Sequence, residues 1–264
     1  MLEGDKMEKA IKRSLMIIAV VAIFAGITAC ECADKHETNK NIDEAAIAIM
    51  KQVVSHYQVL KSYQDDGEKL LLDPQSNSET NKFITSVTYK FITLFQRPSQ
   101  FKFEFKEIGE DGKTEKGADG KENIYVFWAD GKNIWSLLPI YSEPMAEKDL
   151  IKIGSESTLY SFCSSHNIPR LLTDGFGGRR LDNIIENISI TGREQFEGVE
   201  CYVLTGRIRY IGFHKIKLWI GTTDYLIRKI QEDFLDHSRW EEIHHNIKID
   251  EIIPDSQFSY NAGK

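Results

Sequence analysis

From Ser62 to Glu251 apolar and polar residues largely alternate with a period of two, and this rhythm constrains the chain more than any other feature it has. Successive side chains of a strand point to opposite faces, so sustained alternation calls for strands that bury one face and wet the other. It is cleanest from Phe101 to Glu107, where Phe101, Phe103 and Phe105 share one face and Lys102, Glu104 and Lys106 the other. Strands are expected at 63–72, 82–96, 101–107, 123–129, 133–139, 186–192, 199–209, 214–220, 225–233 and 238–251, with 252–258 as a final edge segment. Asp130-Gly131 signals a tight hairpin, Arg97-Pro98-Ser99 a turn, and the charged, glycine-rich 107–123 a mobile loop. The expected fold class is mainly β (α+β), with antiparallel strands.

Two stretches depart from the rhythm. Ile42, Ala46, Ile49, Met50, Val53, Tyr57 and Leu60 fall at spacings of three and four, which predicts a helix with one apolar stripe and Asn41 with Glu44 as its capping box. The second is 141–182, weakly helical from Leu150 to Cys163, with a short helix from Asn167 to Leu172 and a flexible glycine turn at 174–178.

The N-terminus carries a different signal. Lys6, Lys9, Lys12 and Arg13 precede an apolar run from Leu15 to Ala25, the layout of an export signal. A spanning helix needs roughly 20 apolar residues, and this run stops short. Ile27-Thr28-Ala29-Cys30 resembles a bacterial lipobox, which makes Cys30 the lipid-anchored first residue of the mature chain. Ordinary cleavage nearby, leaving Cys30 a plain thiol, is the alternative, and Met7 is an alternative start. The expected organisation is a signal peptide at 1–29, a flexible polar tether at 30–40 and one domain at 41–264. Glu31 after Cys30, where an aspartate would favour the inner membrane, points to the outer membrane and a periplasm-facing protein.

Loss of 1–29 removes four of the 33 Lys/Arg and three of the 40 Asp/Glu, leaving the mature chain at −8 without a basic cluster. That argues against nucleic acid as a partner. In an oxidising compartment Cys163 and Cys201 are free to pair, leaving Cys32 on the tether. No phosphate loop, dinucleotide fingerprint, nucleophile elbow or zincin motif is present, so no enzyme activity, metal or cofactor is expected. His244 and His245 are neighbours on a strand and point to opposite faces, which prevents them from chelating one ion and suits surface or packing roles. Aromatic residues crowd 83–135, enough for a filled β core or for a cavity taking an apolar ligand.

The order of motifs is similar to that of the LolA/LolB-like lipoprotein-carrier superfamily. It runs from Leu60-Lys-Ser-Tyr-Gln-Asp-Asp-Gly67 through Arg97-Pro98-Ser-Gln-Phe101 and Trp128-Ala-Asp130-Gly131-Lys-Asn-Ile-Trp135 to Lys217-Leu-Trp219-Ile220. The resemblance spans residues 41 to 260, and it extends to periplasmic sensor domains of the RseB type. It implies a half-open antiparallel barrel, lidded by the N-terminal helix and the helical insertion, with a hydrophobic concavity for acyl chains. Carried over by position, Phe91, Phe101, Phe103, Phe105, Trp135, Ile216, Leu218 and Ile220 line that concavity. Lys102, Glu104, Lys215 and Lys217 face solvent, and Arg97 is the strand-turn arginine that touches the lid. The insertion at 141–182 is longer than in a minimal carrier. The expected protein is a monomeric envelope lipoprotein that takes acyl chains of lipoproteins or lipids for transfer or sensing. The alternative is a structural or regulatory module of an envelope complex with no cargo.

Overall fold

The alternation becomes eleven strands, paired antiparallel throughout in one sheet. The structure is a computed structural model that describes residues 43–74, 83–117, 120–139, 143–147, 167–173, 176, 180–208, 215–235 and 237–259. The export signal, the tether, Asn41, Cys30 and Cys163 lie outside the described residues. The strands are β1 (Ser62–Pro74), β2 (Phe83–Gln96), β3 (Gln100–Ile108), β4 (Ile124–Asp130), β5 (Ile134–Leu137), β6 (Met145–Glu147), β7 (Ile185–Phe196), β8 (Val199–Ile208), β9 (Lys215–Gly221), β10 (Ile227–Asp233) and β11 (Arg239–Ile249).

Their spatial order is β6-β5-β4-β3-β2-β1-β11-β10-β9-β8-β7. Two meanders, β1 to β6 and β7 to β11, therefore meet where β1 pairs with β11, with Tyr63 opposite Ile249, Gly67 opposite His244 and Leu71 opposite Trp240. The sheet is open, and its edges are β6 and β7. The chain between those two strands carries the helices α2 (Asn167–Leu172) and α3 (Leu181–Ile184), so it leads from one edge of the sheet to the other. One antiparallel sheet with helices against one face is the architecture that a LolA/LolB-like resemblance implies.

Helix α1 (Glu44–Val59) buries Ala46, Met50, Val53, Val54 and Tyr57, the expected stripe. Its cap is Asp43 rather than Asn41. Asp43 Oδ1 accepts from Ala46 N at 3.0 Å, and Asp43 Oδ2 accepts from Ile190 N of β7 at 2.8 Å. One carboxylate thus closes the helix and ties it to a sheet edge, which holds it below the ordinary carboxylate range.

Three expectations change. Strand β6 is three residues long, too short to show a period. The segment 252–258 is not an edge strand but ends in a 3-10 turn at Asp255–Phe258, where Pro254 has no N–H for a ladder and Ile253 and Phe258 pack on Leu94. The loop expected at 107–123 folds back on itself. Gly109 N donates to Lys113 O at 2.8 Å and Gly117 N to Lys121 O at 2.8 Å, around Gly112 (φ 76°) and Gly120 (φ 79°).

Candidate functional site

Register decides which residues share a face. Phe91, Thr93 and Phe95 of β2 stand opposite Phe105, Phe103 and Phe101 of β3, and these stand opposite Tyr125, Phe127 and Ala129 of β4. All lie on the face that α1 covers, and Phe91, Phe95, Phe101, Phe103, Phe105 and Phe127 are at most 4% exposed. On the far side, Leu204 of β8, Ile216, Leu218 and Ile220 of β9, and Ile227 and Ile230 of β10 join the same core. Seven of the eight sequence-assigned lining residues are thus in one cluster.

Trp135 is the exception and a correction. It pairs with Trp128, which shares its side of the sheet with Lys102 rather than with Phe103, so both indoles lie on the outer face, stacked with centroids 6.3 Å apart. On that outer face Glu104 is buried rather than solvent-facing, held by Lys106 at 2.8 Å and Lys102 at 3.1 Å. Burial would raise its pKa, but the two ammonium groups outweigh burial and lower it. On β9, at the other end of the sheet, Lys217 is 3.2 Å from Glu194, and Lys215 is exposed.

One side chain fastens the C-terminal ends of two covering helices. Arg97, after β2, donates from Nε to Leu60 O at 2.9 Å, from Nη2 to Tyr57 O at 3.3 Å and from Nη2 to Leu172 O at 3.5 Å. Its guanidinium therefore sits at the C-terminal ends of both α1 and α2, where a cation is favoured by the exposed carbonyls and the helix dipole. Phe176, after α2, meets Phe103 edge-on at 5.2 Å and Phe101 at 6.5 Å.

Between the aromatic flank (β2 to β4) and the aliphatic flank (β8 to β10) runs a seam of ionisable groups on the same covered face. Asp65 and Lys69 come from β1, Glu242 and His244 from β11 and Glu232 from β10, and none is more than 4% exposed. His244 Nδ1 lies 2.6 Å from Asp65 Oδ2, which also accepts from Tyr63 Oη at 2.6 Å. His244 Nε2 forms an ion pair with Glu242 Oε1 at 3.1 Å. Lys69 stands opposite Glu242 and lies 4.5 Å over the Trp240 ring. Tyr57 of α1 continues the chain of polar groups, in contact with Tyr63 and accepting from Ile227 N at 3.1 Å. From above, Asn167 and Arg170 of α2 act on Glu232.

Gly67 makes the seam possible. A Cβ there would come within 2.0 Å of Ile243 O and 2.4 Å of Phe91 Cζ. Without one, the Phe91 ring lies across the strand and meets the His244 ring edge-on, 5.2 Å between centroids.

The charges interact strongly in this dry setting. Burial pushes the Glu232 carboxyl up to about 7, against the pull of Lys69. Burial lowers the His244 imidazole, but the hydrogen bond and charge of Asp65, with Glu242 behind them, outweigh it and hold the group at about 9. Asp65 and His244 pair as an acid and an imidazole, and the imidazole's other nitrogen faces the Glu242 carboxylate rather than a hydroxyl or thiol. Among the described residues no His, Cys, Asp and Glu group is arranged to hold a metal ion. Cys201 is buried and has no disulfide partner among the described residues, outside which its expected partner Cys163 lies.

Sequence reasoning placed His244 and His245 on opposite faces, and the structure agrees. His245 is partly exposed beside Glu197 at 3.1 Å. What it missed is that His244 belongs to a buried ionic seam.

Fold and site together define an open antiparallel half-barrel whose covered face is apolar on both flanks and ionised along its middle. No family model and no curated protein matches the chain. Among solved structures it is similar to lipoprotein LppX of Mycobacterium tuberculosis, at 14% identity over 81% of this chain and 99% of that one, TM-score 0.45. It is also similar to a LolA superfamily protein from Nitrosomonas europaea, at 10% identity over 81% and 97%, TM-score 0.34. A chain of the Pseudomonas aeruginosa MucA/MucB complex matches at 10% identity over 83% of this chain and 62% of that one, TM-score 0.42.

Proposed function

We propose that this protein is a lipid-anchored envelope lipoprotein, tethered through Cys30 and facing the periplasm, that takes acyl chains of lipoproteins or lipids against its covered face to transfer or sense them. One observation carries the reading. Six phenylalanines form a continuous wall on one face, and besides α1 the described cover consists of helices of six and four residues, the longer held at its C-terminal end by Arg97. Helices that short have little stability of their own, so they can lift without unfolding the sheet. An acyl chain entering in their place gains about 25 cal/mol for each Å² of apolar surface removed from water.

The test is uptake of a fluorescent fatty acid. Phe103→Glu places a charge in the middle of the wall and abolishes uptake while the circular dichroism of the sheet is retained; unchanged uptake discards the wall as the binding surface. For the anchor, Cys30→Ser leaves the protein in the soluble fraction and removes incorporation of labelled palmitate. Persistent labelling of that variant discards Cys30 as the anchor.

A second reading is favoured by the same packing. The wall is already buried by the protein's own side chains, which suits a structural or regulatory module of an envelope complex. Mass spectrometry of the protein purified from its native host separates the two: co-purifying lipid supports the carrier or sensor, and its absence the module.

A further inference from the structure

The seam contains more chemistry than fastening a six-residue helix requires. Taking a charge out of water costs several kcal/mol even after relaxation, and five ionisable groups of the sheet are buried here together. On the sheet itself, three carboxyl groups (Asp65, Glu232, Glu242) face two cations (Lys69, His244). The third cation, Arg170, belongs to α2. When α2 lifts, Arg170 leaves with it, and the sheet keeps one carboxyl group more than it has cations.

Of the seam atoms on the sheet that lack a hydrogen-bond partner among the described residues, two are carboxylate oxygens and one is His244 Nε2, whose charge is met by the ion pair with Glu242 Oε1 at 3.1 Å. Asp65 Oδ1 and Glu242 Oε2 are buried with no donor among the described residues, although their partner oxygens are engaged with His244. An ionised carboxylate oxygen can only accept, so what these two positions lack is a donor. The seam also adjoins the aromatic wall. Phe101 and Phe103 stack at 4.8 Å, Phe105 meets Phe91 at 6.0 Å, and Phe91 meets His244 at 5.2 Å. A chain laid along the wall therefore ends at Asp65 and His244.

From the juxtaposition of an aromatic wall with buried, donor-lacking carboxylates, we infer that the seam receives the polar end of the bound amphiphile, and that this end is a hydrogen-bond donor bearing hydroxyl or ammonium groups. It takes the place of Arg170. A carboxylate- or phosphate-ended amphiphile of the same chain brings further acceptors to oxygens that already lack donors. The inference rests on the proposed acyl binding and adds to it the chemical class of the ligand.

The experiment is competition against an apolar fluorescent dye on the mature chain at neutral pH. The competitors are four sixteen-carbon amphiphiles kept below their micelle concentrations: 1-monopalmitoylglycerol, hexadecylammonium, palmitate and hexadecyl phosphate. The two donor-ended compounds displace the dye at about tenfold lower concentration than the two anions, the worth of one well-placed charge-assisted hydrogen bond. Glu242→Gln, which puts an amide in place of an acceptor oxygen, reduces that preference to about threefold or less. Anions that compete equally or better overturn the inference while leaving acyl binding intact. No displacement by any of the four, with no dye uptake, overturns acyl binding and the inference with it. The series on the unaltered protein decides the matter even if the variant does not fold.

Discussion

The aromatic flank and the ionised seam share one face of one sheet, yet opposite physics holds them together. In the flank, Phe101, Phe103, Phe105 and Phe127 contribute by leaving water, a nondirectional gain that tolerates changes of shape. In the seam every group has been desolvated at a cost, and only its particular partner offsets that cost. The difference teaches where this protein is tolerant and where it is not: the wall can be re-cut, whereas the seam fails if any one member is removed alone.

The sharpest way to break the comparison is His244→Ala. Asp65 and Glu242 then remain buried without their shared cation, and unfolding in urea is expected to show a loss of about 3–5 kcal/mol. A loss under about 1 kcal/mol means the seam is wetter than its burial implies. The next effect is that of pH. Glu232 is raised from 4.5 to about 7 and His244 from 6.5 to about 9, so both hold their protons more tightly in the folded protein. Groups raised in this way stabilise the fold at low pH, and the contribution fades as pH rises through the folded values. Between pH 6 and pH 9 the protein therefore loses stability, by about 2–4 kcal/mol. His244→Gln flattens the upper part of that slope; a curve that rises over this range contradicts the seam's charge assignment.

Smaller effects belong to the flank and the outer face. Phe105→Leu keeps the wall apolar and costs about 1–1.5 kcal/mol, without altering the pH slope, as read by thermal melts at two pH values. Smallest is Trp135→Ala, which removes one of two stacked indoles from the outer face. It costs about 0.5–1 kcal/mol and leaves fatty-acid uptake unchanged. Reduced uptake would return Trp135 to the covered face.

The contrast between flank and seam also explains what could be read beforehand. The alternation at Phe101–Glu107 has one period, and its three phenylalanines came out together on the covered face, although Glu104 on the opposite face is buried. In β4 the run Tyr125-Val-Phe-Trp-Ala129 is apolar at every position, so no alternation says which residues turn inward, and Trp128 and its partner Trp135 carry no mark of the outer face. In β1 the charges Asp65 and Lys69 do fall on the parity of Tyr63 and Leu71, a readable sign of buried charge. In β11 the sign is reversed. Ile243 suggests the inward parity, whereas Trp240, Glu242 and His244 are the buried ones, because pairing with β1 is set by a register shift between Gln64 and Asp66. The cap of α1 was displaced for a similar reason. Asp43 serves the helix with one oxygen and Ile190, 147 residues away, with the other, a contact that no local rule detects.

The pairing of β1 with β11 has a consequence for how the molecule is made. Asp65 and His244 are 179 residues apart in the chain, so β1 is synthesised long before its partner arrives. Throughout that interval one long edge of the first meander lies open, a template for pairing with any neighbouring chain. Asp65 and Lys69 are then not buried groups but gatekeepers, charges on a naked edge that discourage aggregation until β11 covers them. The seam that is costly to bury in the finished protein is thus a safeguard for the unfinished one.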